Sequence, residues 1–308
     1  MSKIAYVFPG QGSQYVGMGK DVYERSAIAR ELFERADSVL GVSLSKICFE
    51  GPEEELKQTK NTQPIIFLHS IVLTKLMENN DVAMAAGHSL GEYSALVFAG
   101  AMSFEDGLRL VRLRGELMQK AGEEQKGTMA AIIGLEPSVV GEICCKAYPE
   151  GIVQSANYNS PGQIVISGSV SGVRKAMELA KARGAKLVKE LVVSGAFHSP
   201  LMQSAREGLK KALASIQIRD ARIPVYANVT AKPVQKAEEI RTLLEEQLTS
   251  AVCWEESVVN MITDGARSFI EVGPGKVLQG LVKRIDGTVD VRGIDTYADV
   301  EKFAPVQS

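Results

Sequence analysis

The chain contains few of the residues that build metal centres and disulfide frameworks. Its 308 residues include four cysteines, three histidines and one tryptophan. No two cysteines have the Cys-x-x-Cys spacing, and the neighbours Cys144 and Cys145 are poorly placed to bridge each other. This pattern predicts free thiols in a reducing compartment and argues against a structural zinc ion, so we expect no bound metal.

Long hydrophobic runs and an excess of one charge are also absent. No apolar run approaches the roughly 20 residues that cross a bilayer, so we expect no membrane span. With 35 basic and 37 acidic residues, the chain lacks the strong basicity of a dedicated nucleic-acid-binding protein. The apolar run at 4–8 is too short for a signal-peptide core, which predicts a cytoplasmic protein.

The first part of the chain alternates short apolar runs with helical segments. A strand is predicted at 4–8 and a helix at 27–40; a second helix at 65–77 precedes a strand at 82–86. Such alternation predicts the α/β class, with a mostly parallel sheet covered by helices.

Between residues 125 and 195 the order of predicted elements changes to β-α-β-β-α-β, which is typical of a ferredoxin-like unit. We therefore predict two domains. A large catalytic domain comprises 1–124 and 196–308, and a ferredoxin-like domain at 125–195 is inserted into it. The predicted strands of the insert are 129–133, 152–156, 163–167 and 186–192, and its helices are 137–147 and 170–183.

The segment 87–91 reads Gly-His-Ser-Leu-Gly and lies between a predicted strand and a predicted helix. This is the context of a nucleophile elbow, in which flanking glycines allow a sharp turn that exposes the serine hydroxyl. A plain tight turn is the alternative interpretation of so short a motif. Its position between a strand and a helix favours Ser89 as a nucleophile.

A serine nucleophile needs a base, and histidine is the usual one. His69 lies in an apolar helix, where a packed core residue is expected. His88 neighbours Ser89, and adjacent side chains at a strand end point to opposite sides. His198 remains, in a loop at the predicted domain junction. A solvent-exposed loop histidine is the alternative interpretation of His198. If His198 is the base, the group that orients it could be a backbone carbonyl or an amide such as Gln247.

The segment 103–120 predicts a helix capped by Ser103, with one apolar stripe. Arg114 falls within that stripe. A guanidinium there must find an anion or extend to solvent, because an unpaired buried charge is costly. It forms either a structural ion pair or a planar fork for a substrate carboxylate, which would select a negatively charged acyl group.

A glycine-rich loop, 9–14, follows the first predicted strand. Tyr15 stands where a dinucleotide fingerprint needs its third glycine, and the Lys-Ser/Thr pair of a phosphate-binding loop is absent. The loop instead predicts a backbone N–H, that of Gln11, near the elbow. Together with the N–H of Leu90 it would form an oxyanion hole worth about 3 kcal/mol per donor.

These segments together resemble malonyl-CoA:acyl-carrier-protein transacylases. The motifs occur in order across nearly the whole chain, at 9–14, 87–92, 114–119, 157–163, 195–199 and 271–275. The resemblance implies an α/β-hydrolase-like large domain with a ferredoxin-like insert. It also implies a role for seven residues: Ser89 as nucleophile, His198 as base, Arg114 as clamp on the malonyl carboxylate, Gln11 and Leu90 as oxyanion donors, the Gln247 carbonyl orienting His198, and Phe197 favouring malonyl over branched groups.

The reaction that the resemblance implies is transfer of malonyl from malonyl-CoA to the pantetheine thiol of an acyl carrier protein, through a malonyl-serine intermediate in fatty acid synthesis. The coenzyme A thioester is then a substrate, and no cofactor is expected. A monomer is expected. Two alternatives stay open: a serine hydrolase or thioesterase that uses water as acceptor, and a non-catalytic interaction module.

Overall fold

The computed structural model describes residues 3–77 and 81–303. Its N-terminal part follows the predicted alternation of strands and helices, and Ser103 caps its last helix by accepting a hydrogen bond from the N–H of Asp106. The elements are β1 (Lys3–Phe8), α1 (Lys20–Arg25), α2 (Ala27–Leu40), α3 (Leu44–Glu50), α4 (Glu53–Leu56), α5 (Thr59–Leu76), β2 (Val82–Gly87), α6 (Gly91–Phe98) and α7 (Phe104–Glu124).

The rest of the described chain first forms a separate four-stranded sheet with two helices. It then adds further strands and helices to the sheet that contains β1 and β2. In chain order, the elements are β3 (Gly127–Ile133), α8 (Pro137–Ala147), β4 (Val153–Ser160), β5 (Gln163–Ser169), α9 (Val170–Ala182), β6 (Leu187–Glu190), α10 (Gln203–Ser215), β7 (Val225–Tyr226), β8 (Pro233–Val234), α11 (Ala237–Glu246), α12 (Trp254–Thr263), β9 (Ala266–Val272), α13 (Val277–Ile285), β10 (Asp290–Ile294) and α14 (Tyr297–Phe303).

The main sheet has the strand order β10-β9-β1-β2-β7-β8, and every neighbouring pair except β7 and β8 is parallel. Alternate residues of β1 enter different cores: Tyr6 and Phe8 pack into one hydrophobic cluster, Ala5 and Val7 into another. A parallel sheet buried on both faces is typical of α/β proteins. The prediction of an α/β fold with a mostly parallel sheet is confirmed.

The second sheet is antiparallel, with the strand order β4-β5-β3-β6. Helices α8 and α9 pack on it and on each other, and the layers enclose a separate core that includes Ile132, Val140, Ile166 and Val173. Along the chain the elements follow the order β-α-β-β-α-β, interrupted only by a short 3-10 helix after α8.

Helix α7 continues to Glu124, beyond the helix predicted at 103–120, and Gly122 packs directly on the backbone of Ser194. Strand β7 ends at Tyr226, since the chain turns back there and pairs with β8. Strand β10 forms one edge of the main sheet by pairing with β9. Within the described ranges, not one helix combines the length and apolarity that crossing a bilayer requires.

Candidate active site

The elbow forms where β2 ends and α6 begins. Ser89 adopts a left-handed backbone with φ 52°, a conformation that non-glycine residues rarely hold outside functional sites. A Cβ atom on Gly87 would lie 1.9 Å from the backbone of Gly91, and one on Gly91 would lie 2.0 Å from the carbonyl oxygen of Phe8. Both flanking glycines are therefore required by the turn and by its contact with β1.

The structure brings His198 to this serine. Its Nε2 lies 2.8 Å from Ser89 Oγ, and its Nδ1 lies 2.9 Å from the backbone oxygen of Gln247. Because a carbonyl oxygen only accepts, Nδ1 carries the proton and Nε2 is left to accept from the serine hydroxyl. His198 is 3% exposed and also has a positive φ, 57°. It is not a solvent-exposed loop histidine.

The other two histidines have different partners. His88 Nε2 lies 2.8 Å from the amide oxygen of Asn159. His69 is fully buried in α5, and its Nε2 lies 2.9 Å from the carboxylate of Asp295, which anchors the helix to the end of β10. Neither contact involves the serine hydroxyl, which agrees with the prediction that His69 and His88 do not reach it.

Arg114 is completely buried on the inner face of α7. Its Nη1 donates to Gln63 Oε1 at 2.8 Å, and its Nη2 donates to Gln247 Oε1 at 2.9 Å and to Ser89 Oγ at 3.1 Å. Within residues 3–77 and 81–303 it forms no ion pair, and the ring centroid of Tyr93 lies 5.3 Å from its Cζ. The structural ion pair considered from the sequence is not observed. A buried cation that contacts the serine oxygen through Nη2 suits an incoming carboxylate.

A polar network behind the serine was not predicted. The side-chain amide of Gln247 donates to Glu92 Oε2 at 2.8 Å and to the backbone oxygen of Ser89 at 3.0 Å. Glu92 is 2% exposed, and burial raises its pKa to about 7. A charged residue in the first turn of an otherwise apolar helix was the available signal, by the same argument that singled out Arg114.

Asn228 holds the elbow from a neighbouring loop, and sequence reasoning missed it entirely. Its Oδ1 accepts from the N–H of Ser89 at 2.7 Å, and its Nδ2 donates to the carbonyl of Gly87 at 2.7 Å. Its own N–H donates to Glu92 Oε2 at 3.1 Å. One amide thus satisfies two backbone groups that the turn leaves without helix or sheet partners.

We expect Asn228→Ala to lower both stability and activity. Two buried backbone groups would lose their partners, so the free energy of unfolding should fall by about 2–4 kcal/mol. Relaxation of the turn should slow acylation of Ser89 about tenfold or more. Urea denaturation and stopped-flow acylation measure the two effects. Asn260→Ala, which removes one bond to the carbonyl of Ala231, is the control and should leave acylation unchanged.

The remaining predicted residues lie around the same turn. Leu90 is buried at the start of α6, and the loop that carries Gln11 leaves β1 next to β2, the strand that ends at the elbow. Within the described ranges, neither of their backbone N–H groups has an acceptor in the protein. Phe197 is 7% exposed and precedes His198. Among the residues described, no group of three or more His, Cys, Asp or Glu side chains is arranged to hold a metal ion.

Comparison with known proteins gives one consistent family. Residues 5–302 match the family model of the acyl transferase domain. The malonyl CoA-acyl carrier protein transacylase of Bacillus subtilis is 49% identical over 93% of this chain and 91% of that protein. The crystal structure of the acyl-carrier-protein-S-malonyltransferase of Bartonella henselae is 42% identical, with a TM-score of 0.94 over 97% of this chain and 98% of that one.

A third relative was solved as a complex of a malonyl-transacylase with its type II PKS acyl-carrier protein. It is 40% identical, with a TM-score of 0.95 over 98% of this chain and 99% of that one. The chain therefore belongs to the acyl transferase family, in the group of malonyl CoA-acyl carrier protein transacylases.

Proposed function

We propose that the protein transfers the malonyl group of malonyl-CoA to the pantetheine thiol of an acyl carrier protein, through a malonyl ester on Ser89. One observation carries this proposal. The oxygen of Ser89 lies 2.8 Å from His198 Nε2 and 3.1 Å from Arg114 Nη2, so a nucleophile, a base and a carboxylate-binding cation meet at one atom. The names of the relatives and the carrier-protein complex of one of them support the same reaction.

The first half-reaction forms the ester. Ser89 Oγ attacks the thioester carbonyl, and its proton passes to His198 Nε2. The N–H groups of Gln11 and Leu90 stabilise the oxyanion. Collapse of this intermediate breaks the carbon–sulfur bond, and the departing sulfur of coenzyme A takes the proton from His198. In the second half the pantetheine thiol gives its proton to His198 and attacks the ester, and Ser89 regains its proton as it leaves.

Arg114 selects the acyl group. Its planar guanidinium, which contacts the serine oxygen through Nη2, matches the two oxygens of a carboxylate. Because Nη2 already lies next to the oxygen that carries the acyl group, the malonyl carboxylate can bind while its carbonyl is attacked. Phe197, packed directly before His198, limits room for a branch on the acyl group.

The two alternatives are less well supported. A non-catalytic module has no need of a serine hydrogen-bonded to a buried histidine, both with left-handed backbones. A hydrolase would share the acyl-serine but not the carboxylate-binding cation, and the relatives named above are transacylases. We expect no cofactor in this mechanism, since each step is a proton or acyl transfer.

The function is tested by mixing the purified protein with malonyl-CoA, acetyl-CoA or methylmalonyl-CoA and weighing the intact protein by mass spectrometry. We expect a malonyl adduct that is stable in buffer and is transferred when a holo acyl carrier protein is added. Rapid spontaneous loss of the adduct would identify a hydrolase, and no adduct with any thioester would overturn the proposal.

The domain division accompanies this mechanism as a proposal. We infer an α/β-hydrolase-like domain at 1–124 and 196–308 and a ferredoxin-like insert at 125–195, supported by the separate antiparallel sheet and its own core. Residues 1–2, 78–80 and 304–308 of the large domain lie outside the described residues. The cytoplasmic location and the monomeric state stay predictions.

The pH dependence of the acylation rate on the acid side tests the role of His198 as the base. Burial, and then the charge of Arg114, lower the pKa of His198 to about 3. A lowered pKa keeps the imidazole neutral to lower pH, so acylation by acetyl-CoA should vary less than about threefold between pH 5 and 8. In the unfolded protein His198 gains its proton below pH ~6.5, so acid also lowers the stability of the folded protein. Acylation is therefore measured as initial rates, before the protein unfolds. A fall in the acylation rate centred near pH 6.5 would contradict the lowered pKa of His198.

A further inference from the structure

Glu92 is a buried carboxylate next to the candidate site that the mechanism above does not use. It lies in the first turn of α6, three residues after Ser89. A single oxygen, Oε2, accepts from Gln247 Nε2 at 2.8 Å and from the N–H of Asn228 at 3.1 Å. It does not touch the serine hydroxyl, so any effect on the reaction must pass through other residues.

Gln247 transmits the position of Glu92 to both other members of the site. Because its Nε2 faces Glu92, its Oε1 faces Arg114, where it accepts from Nη2 at 2.9 Å. The opposite orientation of the amide would place an NH₂ group against the guanidinium, which has no acceptor. The backbone oxygen of the same residue accepts from His198 Nδ1. Gln247 Nε2 also donates to the backbone oxygen of Ser89 at 3.0 Å and to Asn228 Oδ1 at 3.3 Å, and its shortest bond is the one to Glu92. Glu92, together with these two oxygens, fixes the side of Gln247 that contacts Arg114, on the residue that also holds the histidine.

We propose that Glu92 is a positioning residue that holds Gln247 between Arg114 and His198. We also propose that ionisation of Glu92 lowers the preference for malonyl over uncharged acyl groups. This inference rests on the proposed function. An ionised Glu92 places a negative charge one amide group away from the guanidinium, which weakens the attraction of Arg114 for a second carboxylate.

The charge of Glu92 changes in an accessible pH range, because burial raises its pKa to about 7. The charged or titratable groups around it are Arg114 on α7, Tyr93 on its own helix, and His198, whose lowered pKa keeps it neutral there. Arg114 stays protonated throughout this range. The preference for malonyl-CoA over acetyl-CoA should therefore fall as pH rises through 7. Using the ratio cancels the titration of the coenzyme A phosphates, which both substrates share.

The test compares two substitutions. Glu92→Gln keeps an oxygen that accepts both hydrogen bonds but removes the charge, and Glu92→Ala removes the acceptor. Second-order rate constants for acylation of Ser89 are measured with malonyl-CoA and acetyl-CoA from pH 5.5 to 8.5. Glu271→Gln is the matched control, since Glu271 is a buried carboxylate that accepts from N–H groups at the start of α13.

In the unsubstituted protein and the Glu271→Gln control, we expect the malonyl-to-acetyl ratio to fall about fivefold across this range. Glu92→Gln should keep acetyl-CoA rates close to normal and make the ratio independent of pH. Glu92→Ala should slow acylation by both substrates about 10- to 100-fold.

A ratio that depends on pH in Glu92→Gln as in the unsubstituted protein would overturn the role of the charge. Normal rates in Glu92→Ala would overturn positioning through Gln247. A malonyl adduct on the unsubstituted protein is established first, so that either result counts against this inference and not against the proposed function.

Discussion

Replacing Ser89 with alanine is expected to abolish the malonyl-enzyme adduct and to lower transfer to a carrier protein by a factor of about 10⁴ or more. The substitution removes the oxygen that both His198 and Arg114 contact. The oxyanion donors and the cation remain, so the thioester still binds but has no nucleophile. Intact-mass spectrometry after incubation with malonyl-CoA measures the adduct, and a coupled assay measures transfer.

The control lies on α6, the helix that follows Ser89. Ser94 is fully buried in α6, and its hydroxyl has no hydrogen-bond partner among the residues that the structure describes. Removing an unsatisfied hydroxyl costs little, so Ser94→Ala should fold and form the adduct normally. An adduct that accumulates on the Ser89→Ala protein would show that another residue is the nucleophile.

Arg114→Ala is expected to lower kcat/KM for malonyl-CoA by about 10²–10³ while sparing or raising that for acetyl-CoA. The reason is an asymmetry of charge. A malonyl carboxylate brought next to Ser89 without the guanidinium would be buried and unpaired, which costs about 3–5 kcal/mol. An acetyl group brings no charge, so its binding next to Ser89 does not need the cation. Removing the buried cation leaves that binding unchanged or more favourable. Acylation rates with the two thioesters, measured under the same conditions, give the ratio directly.

Two further variants separate charge from geometry and from folding. Arg109→Ala removes an exposed cation from the same helix and should leave the ratio unchanged. Arg114→Lys keeps the charge without the planar fork and should recover only part of the malonyl rate. Thermal denaturation of each variant shows whether it is folded, since Gln63 and Gln247 lose a donor when Arg114 is removed. An unchanged malonyl-to-acetyl ratio in folded Arg114→Ala would remove this residue from substrate selection.

Those parts of the site that depend on local chain geometry could be predicted. The glycines around Ser89 are required by a turn of five residues, and the burial of Arg114 follows from the 3.6-residue period of one helix. His198 was selected by elimination, because the chain offers only three histidines. In each case a short segment, or a count of residues, contains the relevant constraint.

Contacts between distant segments could not be predicted. Asn228 reaches the N–H of Ser89 across 139 positions, and Gln247 reaches Glu92 across 155. An asparagine in a loop after a two-residue strand has no distinguishing pattern, and the side-chain amide of Gln247 could have faced solvent. Likewise, β10 becomes a strand through its pairing with β9 and not through a strong propensity of its own.

The sequence by itself determined the class of fold, the turn that exposes Ser89 and the helix face on which Arg114 lies, because hydrophobic periodicity and glycine requirements act over a few residues. Only the tertiary structure decided which groups share the site: the imidazole of His198 on the serine, the Gln247 amide between a buried carboxylate and a buried guanidinium, and Asn228 behind the turn. Packing of the sheet and its helices sets those distances, and hydrogen bonds between segments more than a hundred residues apart leave no local pattern in the chain.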